Sequence, residues 1–326
     1  MTSMKKNASD SFLARTWRHP ENRGVLISIT LVIIEIIVFA LLKDTFLRAR
    51  NLRNIMRQTA ELGLITIPIA LVMITGNIDQ SVGAIMGFTA TAMGMMMKYM
   101  GFGIVPTVLI GIAIGMLSGA INGALVAYMK LPGIVVTVGS NTMFRGLCYV
   151  LNNARPIGGY DQSFLELSKG YIGDIVPASF LVMVLLFVAA IIFVERTKYG
   201  MFIYAVGRNQ NAARFSGINV ERIYFLTFVF CGLMAAVAGM VMLARVGSAE
   251  PTFAEGFQTQ VMCVALIGGF KIGEGKGRLI GAAAGLLFVS LLNNGMNMLG
   301  IASQVQDIIL GAIIVICCAN IVRKSR

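Results

Sequence analysis

Asn77, Asp79, Gln80 and Ser81 are the residues with side chains suited to meeting a polar solute, and they fall in one short stretch. That stretch, Thr75-Gly76-Asn77-Ile78-Asp79-Gln80-Ser81-Val82-Gly83, interrupts a long apolar run. Leu62 to Ile74 before it and Val82 to Met97 after it hold no charge. Unpaired backbone polar groups in lipid cost several kcal/mol each, so irregular backbone at membrane depth survives only under protein or beside a water-filled cavity. The break therefore belongs at a membrane boundary or in a protein-lined path, and Asn77, Asp79, Gln80 and Ser81 are the candidate substrate path. Asp79 has a second reading, as a cap for a helix starting near Val82, because Asp and Ser are favoured helix N-caps.

Other chemistry is missing. Gly273-Glu-Gly-Lys-Gly277 is glycine-rich but has the wrong spacing for a phosphate-binding loop and no Ser or Thr after its lysine. The one histidine, His19, lies in the polar N-terminal tail. Cys148, Cys231, Cys263, Cys317 and Cys318 all sit in apolar segments without CxxC spacing and read as small core hydrophobes. No Ser/His/Asp set or metal cluster is present, so no catalytic residue, metal or cofactor is expected. Two of the ionisable residues within apolar segments stand out. Glu35 reads as a structural carboxylate with no obvious partner, and Arg145 as a side chain that snorkels or caps carbonyls.

The elements that must hold the break are membrane helices. The chain is 57% apolar and 13% charged, with mean hydropathy +0.80. Apolar runs of ~18 or more residues recur, the length that crosses ~30 Å of hydrocarbon. Candidate spans are Val25–Leu42, Ala60–Ile74, Val82–Met97, Ile104–Met129, Ile134–Leu151, Ile175–Val194, Ile223–Ala244, Val261–Phe270, Leu279–Leu299 and Gln306–Val322. The expected fold is an all-α polytopic membrane protein of about ten transmembrane segments, some short or broken. The net charge of +12 fits basic cytoplasmic loops better than nucleic-acid binding. Residues 1–23 form a basic cytoplasmic tail with a surface helix near Phe12–Trp17, residues 24–322 the transmembrane domain, and 323–326 a cytoplasmic C-terminal tail. Lys43–Gln58 reads as a basic amphipathic connector that falls outside, against the positive-inside tendency. Residues 152–174 read as a polar loop with an amphipathic patch at Phe164–Leu167.

Three further patterns bear on mechanism. Gly111, Gly115, Gly119 and Gly123 form a small-residue ladder on one helix face, where backbones can approach closely. The breaks at 75–83 and 268–278 match as a weak internal repeat: an apolar run, a glycine turn with charge, then a small-residue helix. Such interrupted segments in two halves point to a binding path, while two ordinary helix turns would look the same. The basic 195–222 loop holds Asn209 as cap for a helix over Gln210–Phe215, with Gly217 to close it. Ala212-Ala213 gives that helix a small flat face between Arg208 and Arg214, suited to docking in a groove of another protein.

These residues carry a resemblance. Asn77-Ile-Asp79-Gln80-Ser81-Val82-Gly83, Asn122-Gly123-Ala-Leu-Val126-Ala127-Tyr128, Phe144-Arg145-Gly146, Thr197 to Val220, Ile267-Gly268-Gly269 and Gly277-Arg278 together resemble motifs of the ribose-type sugar ABC importer permeases. That bacterial family includes ribose, xylose, galactose, rhamnose and autoinducer-2 permeases, and the resemblance runs from about residue 45 to 322. Asn77 and Gln80 replace a usual glycine and leucine, which points to a solute other than ribose or to an asymmetric partner. The resemblance implies a path for a monosaccharide or sugar-like solute in the inner membrane, both termini cytoplasmic. Its partners would be a cytoplasmic ATPase subunit, a second permease subunit and a periplasmic sugar-binding protein. Gly207, Arg208, Asn209, Ala212, Ala213 and Gly217 would couple to the ATPase. The competing class is an ion- or proton-coupled secondary transporter acting without an ATPase.

Overall fold

The structure is a computed structural model describing residues 20–325 apart from 174, 272 and 273. Most of the N-terminal tail, with the surface helix expected near Phe12–Trp17 and His19, lies outside the described residues. Among the described residues there are thirteen α-helices: α1 (Pro20–Leu42), α2 (Ala49–Ile74), α3 (Val82–Tyr99), α4 (Ile104–Ala127), α5 (Gly133–Leu151), α6 (Gln162–Lys169), α7 (Ala178–Arg196), α8 (Lys198–Arg208), α9 (Gln210–Phe215), α10 (Val220–Val246), α11 (Phe257–Ile267), α12 (Leu279–Met298) and α13 (Ser303–Ser325). Among the described residues, strand pairing amounts to two minimal ribbons, Ile157–Gly158 on Ser248–Ala249 and Tyr171–Ile172 on Val176–Pro177, and one bridge between Lys271 and Lys276. The all-helical class expected from composition is the class observed. Six helices, α2, α4, α5, α7, α10 and α12, are long and apolar enough to cross a membrane, and α1, α11 and α13 carry shorter apolar stretches.

The expected connector at Lys43–Gln58 is a helix over much of its length. From Ala49 the chain runs unbroken to Ile74, because no glycine or proline interrupts the first four turns and the basic residues lie on one face. Arg53 and Arg57 hold over the Tyr171 ring, 5.6 and 4.8 Å from its centroid. Such cation–π contacts give these cations a partner where the charge tendency would not place them. The expected polar loop at 152–174 likewise contains α6, whose patch packs inward through Phe164, 0% exposed.

α2 is the centre of the bundle. Every residue from Thr59 to Ile74 is buried, and α7, α10, α11 and α12 pack around it. The outer helices carry their apolar side chains outward, among them Leu41, Leu109, Val150, Leu185 and Ile308. In water such a surface would be an aggregation liability; in lipid it needs no cover. α4 and α10 form the closest seam, and the glycine ladder is its cause. A Cβ on Gly115 would stand 2.5 Å from the Gly232 carbonyl, and one on Gly119 2.3 Å from the Phe228 carbonyl.

The connections sort to two ends. At one, the α8 terminus touches the ends of α2 and of the 268–278 turn through Gly207, and Asn77 touches the start of α5 at Gly133. At the other lie the two strand ribbons, with Tyr160 against Gly94 and Leu165 against Gly247.

Candidate translocation path and coupling helix

The polar break is a re-entrant segment. α2 ends with a turn at Thr75–Gly76, and Gly76 takes φ +90°, which glycine alone adopts without strain. Residues 77–81 then pass between α4 and α5 to the first turn of α3. Their polar groups are met by those helices. Thr137 Oγ donates to the Ile78 carbonyl (3.2 Å), and Asn122 Nδ2 donates to Ser81 Oγ (2.9 Å). Asp79 Oδ1 accepts from the Ser81 amide (2.8 Å) and the Ser81 hydroxyl (2.5 Å). Asp79 Oδ2 is buried with no hydrogen-bond partner among the described residues, and the carboxyl lies beside the buried Cys231 thiol. Ser81 occupies the N-cap position of α3 but makes no side-chain cap bond. Asp79 thus braces the residue that starts the helix, with one oxygen still available. Asn77 and Gln80 are half-buried; Gln80 Nε2 reaches only the Met262 sulfur, at 3.5 Å.

A second non-helical segment enters from the other end of the bundle. Glu250–Gly256 follows the strand residue Ala249 and runs down along α3 to the start of α11. Gly83 and Gly87 leave room for it: a Cβ on Gly83 would lie 2.8 Å from the Ala254 carbonyl, and one on Gly87 2.7 Å from the Phe253 carbonyl. Arg145 reaches across from α5 and donates to the Pro251 carbonyl (3.1 Å) and the Phe253 carbonyl (2.7 Å). The carbonyl-capping role expected for Arg145 is the one observed, and it supplies what non-helical backbone inside a bundle requires. The two segments meet beside the first turn of α3.

The coupling region has the expected local form with one addition. Asn209 Oδ1 accepts from the Ala212 amide (3.0 Å), capping Gln210–Phe215, and Gly217 closes the helix at φ +80°. Arg214 pairs with Glu221 at the start of α10. The addition is α8, a preceding amphipathic helix capped by Thr197, which accepts from the Gly200 amide. α8 docks this hairpin on the bundle. Gly207, at its last turn, abuts both breaks: a Cβ there would lie 1.8 Å from the Ile74 carbonyl and 2.9 Å from Gly275 Cα. Tyr204 donates to the Gly277 carbonyl (2.8 Å). Beside it, Lys276 and Lys271 hold the Glu274 carboxyl below its usual range, and Arg278 pairs with Glu195 (3.2 Å).

Ala212 and Ala213 do not share one outward face. Ala213 is buried against the chain's own fold, whereas Ala212 is exposed with Arg208 and Asn209. A helix of this length turns ~100° per residue, so adjacent residues cannot both face a partner squarely. The side chain most fully presented is Phe215, 92% exposed, which the sequence reading passed over; an aromatic at the end of a capped polar helix was its signal.

Sequence reasoning also missed Glu61. It lies in α2, 1% exposed, and holds Arg245 of α10 through both carboxylate oxygens, Nη2 to Oε2 at 2.9 Å. One charge in an otherwise apolar run was the available sign. Glu35 is buried, and neither of its oxygens has a partner among the described residues.

The structure is a helical bundle with six helices long and apolar enough to cross a membrane, two non-helical segments inside it and a projecting helical hairpin. The chain belongs to the branched-chain amino acid transport system / permease component family, whose model matches residues 51–318. It is 36% identical over 287 residues to the ribose import permease protein RbsC of Bacillus subtilis (strain 168), covering 87% of this chain and 88% of that protein. The RbsC of Escherichia coli (strain K12) is 31% identical over 292 residues, covering 89% of this chain and 91% of that protein. The xylose transport system permease protein XylH of Escherichia coli (strain K12) is 29% identical over 356 residues, covering 90% and 91%. No solved structure matches this chain. The family is one of permease subunits, with no ATPase activity of their own.

Proposed function

We propose that this chain forms the translocation path of an ATP-driven importer for a monosaccharide or sugar-like solute. The relatives' ribose and xylose transport supports the solute class. The observation that carries the mechanism is Gly207. It seats the coupling hairpin against the Ile74 carbonyl and Gly275, the exits of both matched breaks, so a push on α9 reaches both at once. α1, α2, α3, α4, α5, α7, α10, α11, α12 and α13 are the ten crossings of this reading. The hairpin end is cytoplasmic, with both termini, in a bacterial inner membrane. A periplasmic sugar-binding protein delivers solute to the opposite end. A cytoplasmic ATPase subunit takes Arg208, Asn209, Ala212 and Phe215 into a groove, while Ala213 packs against this chain's own fold and the exposed Gly217 ends the helix. A second permease subunit, identical or homologous, completes the path. Asp79, with one unpartnered oxygen, and Asn77, Gln80 and Ser81 are its polar lining on the cytoplasmic side. ATP can shift the path between states only by favouring one hairpin position over another.

The test is co-expression with the genetically encoded neighbours, capture of the ATPase, and uptake in vesicles. The expected result is ATPase capture by the wild type, lost in Gly217→Trp, with uptake that needs ATP. Uptake by the chain alone, without ATPase or ATP, would instead establish the secondary transporter and overturn this reading.

A further inference from the structure

α11 stands between the polar break and a second polar space. Met262 meets Gln80 on one face of this helix, and Gln260, ~200° around it, lines a cavity of about 170 Å³ on the other. α2, α10, α12 and α13 supply the remaining walls. Glu61 and Arg245 sit in that lining as a bidentate pair, so the cavity carries no uncompensated charge from them. A bare cation or anion would have to break the pair. Asn293 donates to Gln260 Oε1 (3.1 Å), but Asn293 Oδ1 and the hydroxyl of Ser290, 4% exposed, have no partner among the described residues. Buried polar groups left so are unfavourable until something completes them. Phe257 and Met242 add an apolar patch to the same lining.

Neutral, hydrogen bonding in both senses along one edge and apolar on another: that is the surface of a monosaccharide. At ~30 Å³ per water the space equals roughly six waters, and covalently bonded atoms pack closer than waters, so a pentose or hexose ring is of the right order. We propose that this cavity is a second solute subsite, for a neutral polyhydroxylated molecule, on the far side of α11 from the polar break. The proposal rests on the transport reading above and extends it from one polar station to two.

The test uses the complete transporter, this chain with its ATPase and second permease, reconstituted in liposomes. Ser290→Cys is labelled with the neutral reagent methyl methanethiosulfonate, with and without D-ribose, D-xylose or D-galactose, and uptake of each sugar by the wild type is measured in parallel. Sugar at about ten times its Kd is expected to slow labelling of Ser290→Cys about tenfold and to leave the slow labelling of the five native cysteines unchanged. Asn293→Leu, which removes the amide's donor and acceptor with almost no change of shape, is expected to weaken protection and uptake while ATP hydrolysis persists. Equal labelling rates in a transporter that takes up the sugar would overturn the subsite alone, leaving a cavity that holds only water. Failure of Ser290→Cys to react at all would overturn it too. Equal rates with no uptake of any of the three sugars would overturn the subsite and the sugar reading together, while protection without uptake would still support the site.

Discussion

Gly207→Ala tests the mechanical claim with one methyl group. The Cβ would stand 1.8 Å from the Ile74 carbonyl, and ordinary contact begins at 3.4 Å, so the α8 terminus must retreat by about 1.6 Å. Neither side can yield by rotating a side chain, because the second neighbour, Gly275 Cα at 2.9 Å, is also backbone. Overpacking of this kind costs ~1–3 kcal/mol. Against it stands the helix preference for Ala over Gly, up to ~1 kcal/mol. The net is ~1–2 kcal/mol against the docked hairpin, a factor of roughly 5–30 in its docked-to-undocked ratio. Uptake per ATP hydrolysed, measured in liposomes holding the whole transporter and its binding protein, is expected to fall, by at most that factor. Capture of the ATPase is expected to persist, since the methyl meets only this chain's own backbone. Gly139→Ala and Gly146→Ala are the controls: both positions are helical, with nothing within 4 Å of the new Cβ, and both are expected to behave as wild type. Wild-type uptake and thermal stability in Gly207→Ala would refute the wedge. So would loss of ATPase capture, because the methyl would then be acting on the partner surface.

Three other substitutions probe the parts around it. Phe215→Ala removes the bare aromatic of the coupling helix and is expected to weaken ATPase capture by at least ~2 kcal/mol, about thirtyfold, in a pull-down titration, with the fold's melting temperature unchanged. Arg145→Leu strips the donor from the Pro251 and Phe253 carbonyls and is expected to cost ~2–3 kcal/mol in detergent melts, with Arg145→Lys recovering part. Gly119→Val drives a branched side chain into the Phe228 carbonyl and is expected to yield no folded protein by size-exclusion fluorescence, whereas Gly146→Val on an open face folds.

What could be read from the chain and what could not divide along physical lines. The short helix Gln210–Phe215 was legible because its signals are local: Asn209 caps within three residues, and Gly217 supplies the positive φ that ends it. The glycine ladder was legible for the same reason, since a four-residue repeat fixes one helix face before any partner is known. The span count was less so. Apolar length marks six helices unambiguously, but α11, eleven residues long, counts as a crossing only when its non-helical partner segment is seen.

The segment Glu250–Gly256 shows why. With its two acids and Pro251 it has the composition of a surface loop, and nothing in it says that it enters the bundle. That is decided elsewhere, by Gly83 and Gly87, which clear a channel along α3, and by Arg145, which meets its carbonyls. Each contribution comes from a different helix and each has an ordinary local explanation. The same holds for the cavity beyond α11: Glu61, Gln260, Ser290 and Asn293 come from three different helices. A polar residue in a membrane helix announces that a partner exists; only the packing says which. In this chain the packing gathers exceptions to apolar sequence into two polar regions, with a half-length helix as the wall between them. A wall that stops partway through the bundle can shift without unmaking a full span. Gly268, just past its end, lies against Gly281 with a Cβ-to-carbonyl distance of 2.6 Å, and Gly275 of the same turn lies against Gly207.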